Sequence, residues 1–178
     1  MVELERDYPA LRPPTLQPGR VKRPTIATVT RAAFVDLVLG MNPTHFVTLN
    51  FNMLYGSDQR RQALERWSRW VAGRLFSSSS FATALEDHFN FAAFLEWTSR
   101  GLPHFHLTAR IDVRRHRWFH KCAQTLWRRV VGSGTLDCQS IAPSSDDVLR
   151  VALYATKGLE DPRSKGEYWL SGMLDIRR

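Results

Sequence analysis

Between Pro103 and Ile111, apolar and polar residues alternate with the period of a strand. Phe105, Leu107, Ala109 and Ile111 fall on one face and His104, His106, Thr108 and Arg110 on the other. Phe89 to Thr98 reads as a second strand, and the Ser99-Arg100-Gly101-Leu102-Pro103 turn joins the two into a hairpin. Elsewhere the spacing is helical. Phe34, Val35, Val38 and Leu39 predict a helix running from a Thr30 cap to about Leu39, stopped by Gly40 and Pro43. Leu64, Trp67, Val71 and Leu75 make the apolar stripe of a helix that starts at Ser57 or Asp58 and reaches roughly Phe76, with Arg60, Arg61, Arg66, Arg69 and Arg74 mostly off it. A third helix spans about Arg114 to Val131 and ends at Gly132 and Gly134. A fourth spans about Asp146 to Leu159, where Ser144, Ser145, Asp146 and Asp147 offer caps and a favourable match to the helix dipole. Thr44 to Phe51 and Thr135 to Ile141 are further strands, four serines at 77 to 80 mark a loop, and the last 19 residues read as irregular, packing at an edge.

The order strand, helix, strand, strand, helix, strand, helix predicts an α+β fold. A central antiparallel sheet of about five strands carries helices on one face, in a ferredoxin-like or RRM-like arrangement. The other face is expected to be open, with His104 and His106 on it. Residues 1 to 24 carry five of the nine prolines and no periodicity, so they read as an extended N-terminal arm, with 25 to 178 as a single domain.

Charge narrows the partners. Lys and Arg total 25 against 17 Asp and Glu, a net charge of +8, and 21 of the 25 are Arg. Arginine favours planar, bidentate contact with phosphate, so a polyanion, nucleic acid first, is the expected partner. No apolar run is long enough for a membrane span, and the N-terminus lacks the basic-then-apolar order of a signal peptide, so an intracellular protein with no membrane partner is expected. Cys122 and Cys138 are the two cysteines and form no CxxC. That argues against a disulfide framework and against a thiolate zinc site, and for free thiols in a reducing compartment.

A turn centred near Arg100 makes antiparallel partners sum to about 200, which sets Glu96 beside His104. Any even shift keeps Glu96 on the histidine face, whereas an odd slip would send an unpaired carboxylate into the core. Glu96, His104 and His106 therefore form a candidate two-imidazole, one-carboxylate set with open positions, suited to Mg²⁺ or, more comfortably, Mn²⁺. On the fourth helix, Asp147, Arg150, Tyr154 and Lys157 fall within a sector of about 80°, while Val148, Val151, Ala152, Ala155 and Leu159 lie opposite or adjacent to it. A phenol flanked by cations can attack a phosphodiester if a metal and Lys157 offset the charge of the transition state.

Taken in order, three segments resemble the motifs of the HUH endonuclease superfamily, and specifically its rolling-circle replication initiators from plasmids and small single-stranded DNA viruses. His45-Phe46-Val47-Thr48-Leu49-Asn50-Phe51 resembles the first motif, Pro103-His104-Phe105-His106-Leu107 the His-hydrophobic-His motif, and Tyr154-Ala155-Thr156-Lys157 the Tyr-x-x-Lys motif. Glu96 matches the acidic third metal ligand of the viral members. The resemblance implies a sequence-specific, single-tyrosine nickase and strand transferase. Glu96, His104 and His106 would hold Mn²⁺ or Mg²⁺; Tyr154 would form a 5′-phosphotyrosine and free a 3′-hydroxyl; Lys157 would orient or neutralise charge. The implied partners are single-stranded DNA and an origin hairpin; since no Gly-x-x-x-x-Gly-Lys-Ser/Thr loop occurs here, either a separate helicase supplies unwinding or the chain is an isolated domain of a longer protein. The implied location is the cytoplasm of a bacterial host, or the nucleus for a viral member.

Several features separate the relatives. Tyr154 follows the histidines, unlike the order in conjugative relaxases. Single-tyrosine transposases commonly place a Gln ligand four residues after the tyrosine, where this chain has Gly158. Asn50 stands where the first motif often has threonine. A transposase-like nuclease, a non-catalytic RRM-like binding module and a metal-binding structural domain are the alternatives; a binding module survives Tyr154→Phe intact and a nickase does not. The basic third helix could track a DNA backbone, although its aromatic positions suit packing on the sheet. His116 and His120 are spaced i, i+4 but lack a nearby acidic ligand, so they are not expected to bind metal; His45 and His88 read as structural or exposed.

Overall fold

The alternation in the His-x-His segment fixes which way the sheet faces. The computed structural model describes residues 25–75 and 89–173. Its strands are β1 (His45–Asn50), β2 (Phe89–Trp97), β3 (Pro103–Ile111), β4 (Thr135–Ser140) and β5 (Tyr168–Leu170), joined in one antiparallel sheet of order β4-β1-β3-β2-β5. Helices α1 (Ile26–Met41), α2 (Ser57–Leu75), α3 (His116–Val131) and α4 (Ser145–Ala155) pack on it, so the fold is α+β. The path β1-α2-β2-β3-α3-β4 with spatial order 4-1-3-2 is the ferredoxin-like split βαβ arrangement. The N-terminal arm and the serine loop at 77 to 80 lie outside the described residues.

On one face, Val47 and Leu49 of β1, Phe91 and Leu95 of β2, and Phe105, Leu107 and Ala109 of β3 meet the stripes of α2 and α3, including Trp67, Phe119 and Trp127. Each fully buried Leu or Phe contributes about 1.5–3 kcal/mol through removal of apolar surface from water. The two indoles also satisfy their N–H groups: Trp67 donates to the carbonyl of Ala123 at 3.2 Å and Trp127 to that of Asn50 at 2.9 Å.

The second face is not open, contrary to the expectation from the pattern. Val35 and Val38 of α1 and Ala152 and Ala155 of α4 pack, with Leu159, on Ala92 and Phe94 of β2. The reason lies in β2, which is apolar on both faces from Phe91 to Leu95 and requires cover on both sides. Arg31 fastens the two helical elements together, donating to Glu160 at 2.8 Å and to the carbonyl of Leu153 at 2.9 Å.

Element ends differ from the expected ones for identifiable reasons. α1 starts at Ile26 because Thr25, not Thr30, is the cap, its hydroxyl accepting the Thr28 N–H. α4 ends at Ala155 and tightens into a 3₁₀ turn, Thr156–Glu160, where the Thr156 hydroxyl donates to the carbonyl of Ala152. Near the C-terminus, residues expected to be irregular supply β5, whose three residues pair with β2; that is too short for a period to register. Arg60, expected off the apolar stripe, is buried and grips both carboxylate oxygens of Glu167, just before β5, at 2.7 and 2.8 Å. Among the described residues, no helix is long and apolar enough to cross a membrane.

Candidate functional site

The β2–β3 hairpin builds the centre of the site. Its loop is closed on Thr98, whose N–H donates to the Leu102 carbonyl at 2.9 Å while its hydroxyl accepts the Leu102 N–H. Gly101, at φ 74°, takes the left-handed conformation the turn needs. The resulting register sets Glu96 directly opposite His104, the pairing expected from the turn position.

Glu96 Oε2 stands 2.6 Å from Nε2 of His106 and 3.5 Å from Nε2 of His104, and the two Nε2 atoms are 3.2 Å apart. Both imidazoles are buried beneath the second layer of helices. Burial lowers the pKa of His104 despite the opposing pull of Glu96. For His106, burial and then the neighbouring His104 bring it down to about 4. Both rings are therefore neutral at neutral pH. Nδ1 of His106 faces the Thr48 hydroxyl at 3.3 Å and its Nε2 faces the carboxylate oxygen at 2.6 Å, close enough for a proton or a cation to be shared between them. Glu96 Oε2 is itself buried between the two imidazoles, and the carboxylate and the two ring nitrogens are of the types that bind a divalent ion. A donor set of two nitrogens and one oxygen, all within 4.8 Å of one another, suits Mn²⁺ or Mg²⁺ with further positions filled by water or phosphate.

α4 and the turn after it bring the remaining candidates to the same place. Tyr154 is 47% exposed, and its ring centroid lies 4.9 Å from that of His106. Lys157 reaches back over the Tyr154 ring, 3.7 Å from its centroid, and ion-pairs with Glu96 Oε1 at 3.2 Å. Burial opposes the Lys157 charge, but hydrogen bonds to Tyr154 and Glu96 outweigh it and hold the ammonium above the ordinary lysine pKa. Lys157 thus joins the tyrosine to the carboxylate–imidazole cluster. Gly158 makes this approach possible, because a Cβ there would fall on the Leu95 carbonyl oxygen; the position has no room for a glutamine.

Two residues of β1 complete the surround; the sequence placed both in the segment resembling the first motif but gave neither a role. Phe46 stacks on His106, with centroids 5.3 Å apart and planes at 29°, and Thr48 holds Nδ1 of the same ring. Their signal is β1 pairing beside β3, which sets Thr48 opposite His106. Beside Tyr154, a groove of about 530 Å³ runs along Phe46, Thr48, Asp137, Gln139 and Arg150, a volume in the range of ligand sites. Arg150 also pairs with Asp147 across one helical turn. α3 packs its aromatics on the opposite sheet face, so its exposed arginines lie away from Tyr154. His116 and His120 are on that far side, beside His45, and His88 lies outside the described residues.

No protein-family model matches the chain, and neither does any curated protein. Among solved structures, the chain is similar to the hypothetical protein ORF119 from Sulfolobus islandicus rod-shaped virus 1, at 15% sequence identity. The match covers 71% of this chain and 95% of that one with a TM-score of 0.47, and no role is carried over from it.

Proposed function

We propose that this chain is a metal-dependent single-stranded DNA nickase and strand transferase of the HUH type, acting in rolling-circle replication. The observation that carries the reading is the convergence of a half-exposed tyrosine, a lysine and a carboxylate–imidazole cluster on one sheet face, from elements some 50 residues apart in sequence. When bound by Glu96, His104 and His106, a divalent ion supplies Lewis-acid polarisation of the scissile phosphate.

The protein's own groups supply the rest. The Tyr154 oxygen attacks phosphorus and forms the Tyr–O–P bond; the P–O3′ bond breaks; the phenol proton passes to solvent and the departing 3′-oxygen takes one up. A 5′-phosphotyrosine and a 3′-hydroxyl result, and because one phosphodiester replaces another, the reverse reaction rejoins the strand without an external energy source. Lys157, poised against both Tyr154 and Glu96, offsets charge as it builds on the phenolate and phosphate oxygens. Arg150 in the adjoining groove offers a phosphate contact for the incoming strand. Single-stranded DNA with an origin hairpin is the proposed partner.

The test is incubation with single-stranded DNA pools and Mn²⁺, with Tyr154→Phe alongside, resolved on a denaturing gel. A covalent protein–DNA adduct that disappears in the variant supports the nickase. DNA binding with no adduct from any pool replaces it with a non-catalytic binding module.

A further inference from the structure

A second cluster lies on the opposite face of the sheet, and nothing in the proposed nicking chemistry uses it. His45 at the start of β1, His120 on α3 and Cys138 on β4 bring one imidazole nitrogen each and Sγ within 4.8 Å of one another. The two Nε2 atoms are 3.2 Å apart. Tetrahedral zinc with metal–nitrogen bonds of about 2.0–2.1 Å sets its imidazole nitrogens roughly 3.3 Å apart, so this pair already has the ligand-to-ligand spacing of such a site.

The surroundings orient the buried ligand. Thr44 Oγ1 is 2.9 Å from Nδ1 of His45, accepts the Ile111 N–H at 3.0 Å, and has carbonyl oxygens of Ile111 and Ala109 at 3.3 and 3.4 Å to take its own proton. With that proton committed to a carbonyl, the hydroxyl accepts Nδ1–H from His45, which leaves the Nε2 lone pair directed at His120. Such an outer contact fixes the ring's tautomer and orientation, as the partners of metal-ligating histidines do. Burial, then His116 and His120, lower His45 to about 4, so its ring is neutral at neutral pH. His116 packs edge-on against His45 at 4.4 Å between centroids, but its Nε2 is engaged with the Ile111 carbonyl at 2.8 Å. His120 is exposed and has the Ser140 hydroxyl 3.3 Å from its Nε2, so the cluster is open to solvent on that side.

We propose that His45, His120 and Cys138 form a binding site for a borderline-soft divalent ion, Zn²⁺, distinct in face and in ligand chemistry from the Glu96, His104 and His106 cluster. A donor set of two imidazoles and one thiolate selects zinc over the hard ions that an oxygen-containing set accommodates. On binding, the metal–sulfur bond forms and the thiol proton leaves to solvent. The ion ties edge strand β4 to β1 and to α3. The proposal does not depend on the nickase reading.

Cobalt(II) is the probe, because a thiolate ligand gives a near-ultraviolet sulfur-to-cobalt charge-transfer band that the sulfur-free cluster cannot produce. The reduced full chain, stripped with chelator and titrated with Co²⁺, is expected to show this band, which Zn²⁺ then displaces. Cys138→Ser should abolish it, and His120→Ala should weaken metal binding by at least about 100-fold, while His104→Ala should leave it in place. Cys138→Ser is close to isosteric at a half-buried edge-strand position packed beside the core, and His120 is exposed, so both variants are expected to fold. Zn²⁺ should also raise the melting temperature of the wild type and not that of Cys138→Ser. Absence of the band in the wild type, or its survival in Cys138→Ser, overturns the proposal.

Discussion

The two faces of the sheet carry histidine pairs with the same separation and different origins. On one, His104 and His106 stand two residues apart on β3, Glu96 faces them across a hairpin, and the nitrogens are 3.2 Å apart. On the other, His45 and His120 reach the same 3.2 Å from β1 and α3, joined by Cys138 from β4. The first cluster adds an oxygen and is flanked by a tyrosine and a lysine; the second adds a sulfur and has neither. Equal imidazole spacing therefore does not imply equal chemistry. The third donor separates a set suited to hard ions from one suited to softer ones, and the groups alongside decide whether a reaction can occur there.

The comparison is sharpest at the tyrosine. Tyr154→Phe is expected to reduce covalent adduct formation by at least ~10³-fold, to background. Because the hydroxyl belongs to a half-exposed ring, the melting temperature and DNA binding should hardly change. Metal dependence comes next: His106→Ala or Glu96→Gln should cut Mn²⁺-dependent cleavage by about 10²-fold or more, whereas Cys138→Ser should leave the cleavage rate with Mn²⁺ within about twofold, assuming the faces act independently. Equal losses from both sets of variants, measured under single-turnover conditions, would break the distinction between the faces.

Smaller effects test the supports. Gly158→Ala forces a Cβ onto the Leu95 carbonyl and should destabilise the fold by about 1–3 kcal/mol, measured by urea denaturation. The same change should lower nicking more than it lowers DNA binding, because it displaces Lys157 from Glu96. Acid should weaken both faces in the metal-free protein. His45 and His106 each fall from 6.5 to about 4 on folding, so between those values the unfolded chain binds more protons than the folded one. Their contribution to stability is then complete above about pH 6.5 and lost as pH falls toward 4. A flat stability profile across that window would show that neither ring is held neutral.

The hairpin cluster was legible in the sequence because its parts are local. Alternation fixed the faces of β3, and the position of the turn fixed Glu96 opposite His104. The helix carrying Tyr154 and Lys157 was equally legible as an element, but its place over the histidines was not. The pattern suggested one covered face, and α1 and α4 cover the other because β2 is apolar on both sides. Cys138 and His120 illustrate the converse. Without a CxxC, and with His120 paired only with His116 by spacing, the sequence argued against a metal site, since spacing along one element says nothing about a partner on another.

Local patterning by itself thus determined the α+β class, most elements and the register of the β2–β3 hairpin, because side-chain period and turn length act over a few residues. The tertiary structure alone decided which helices cover which face, where Lys157 comes to rest after the tight turn at Gly158, and that His45, His120 and Cys138 meet. These depend on packing between segments far apart in the chain, where burial of apolar surface, not periodicity, selects the neighbour.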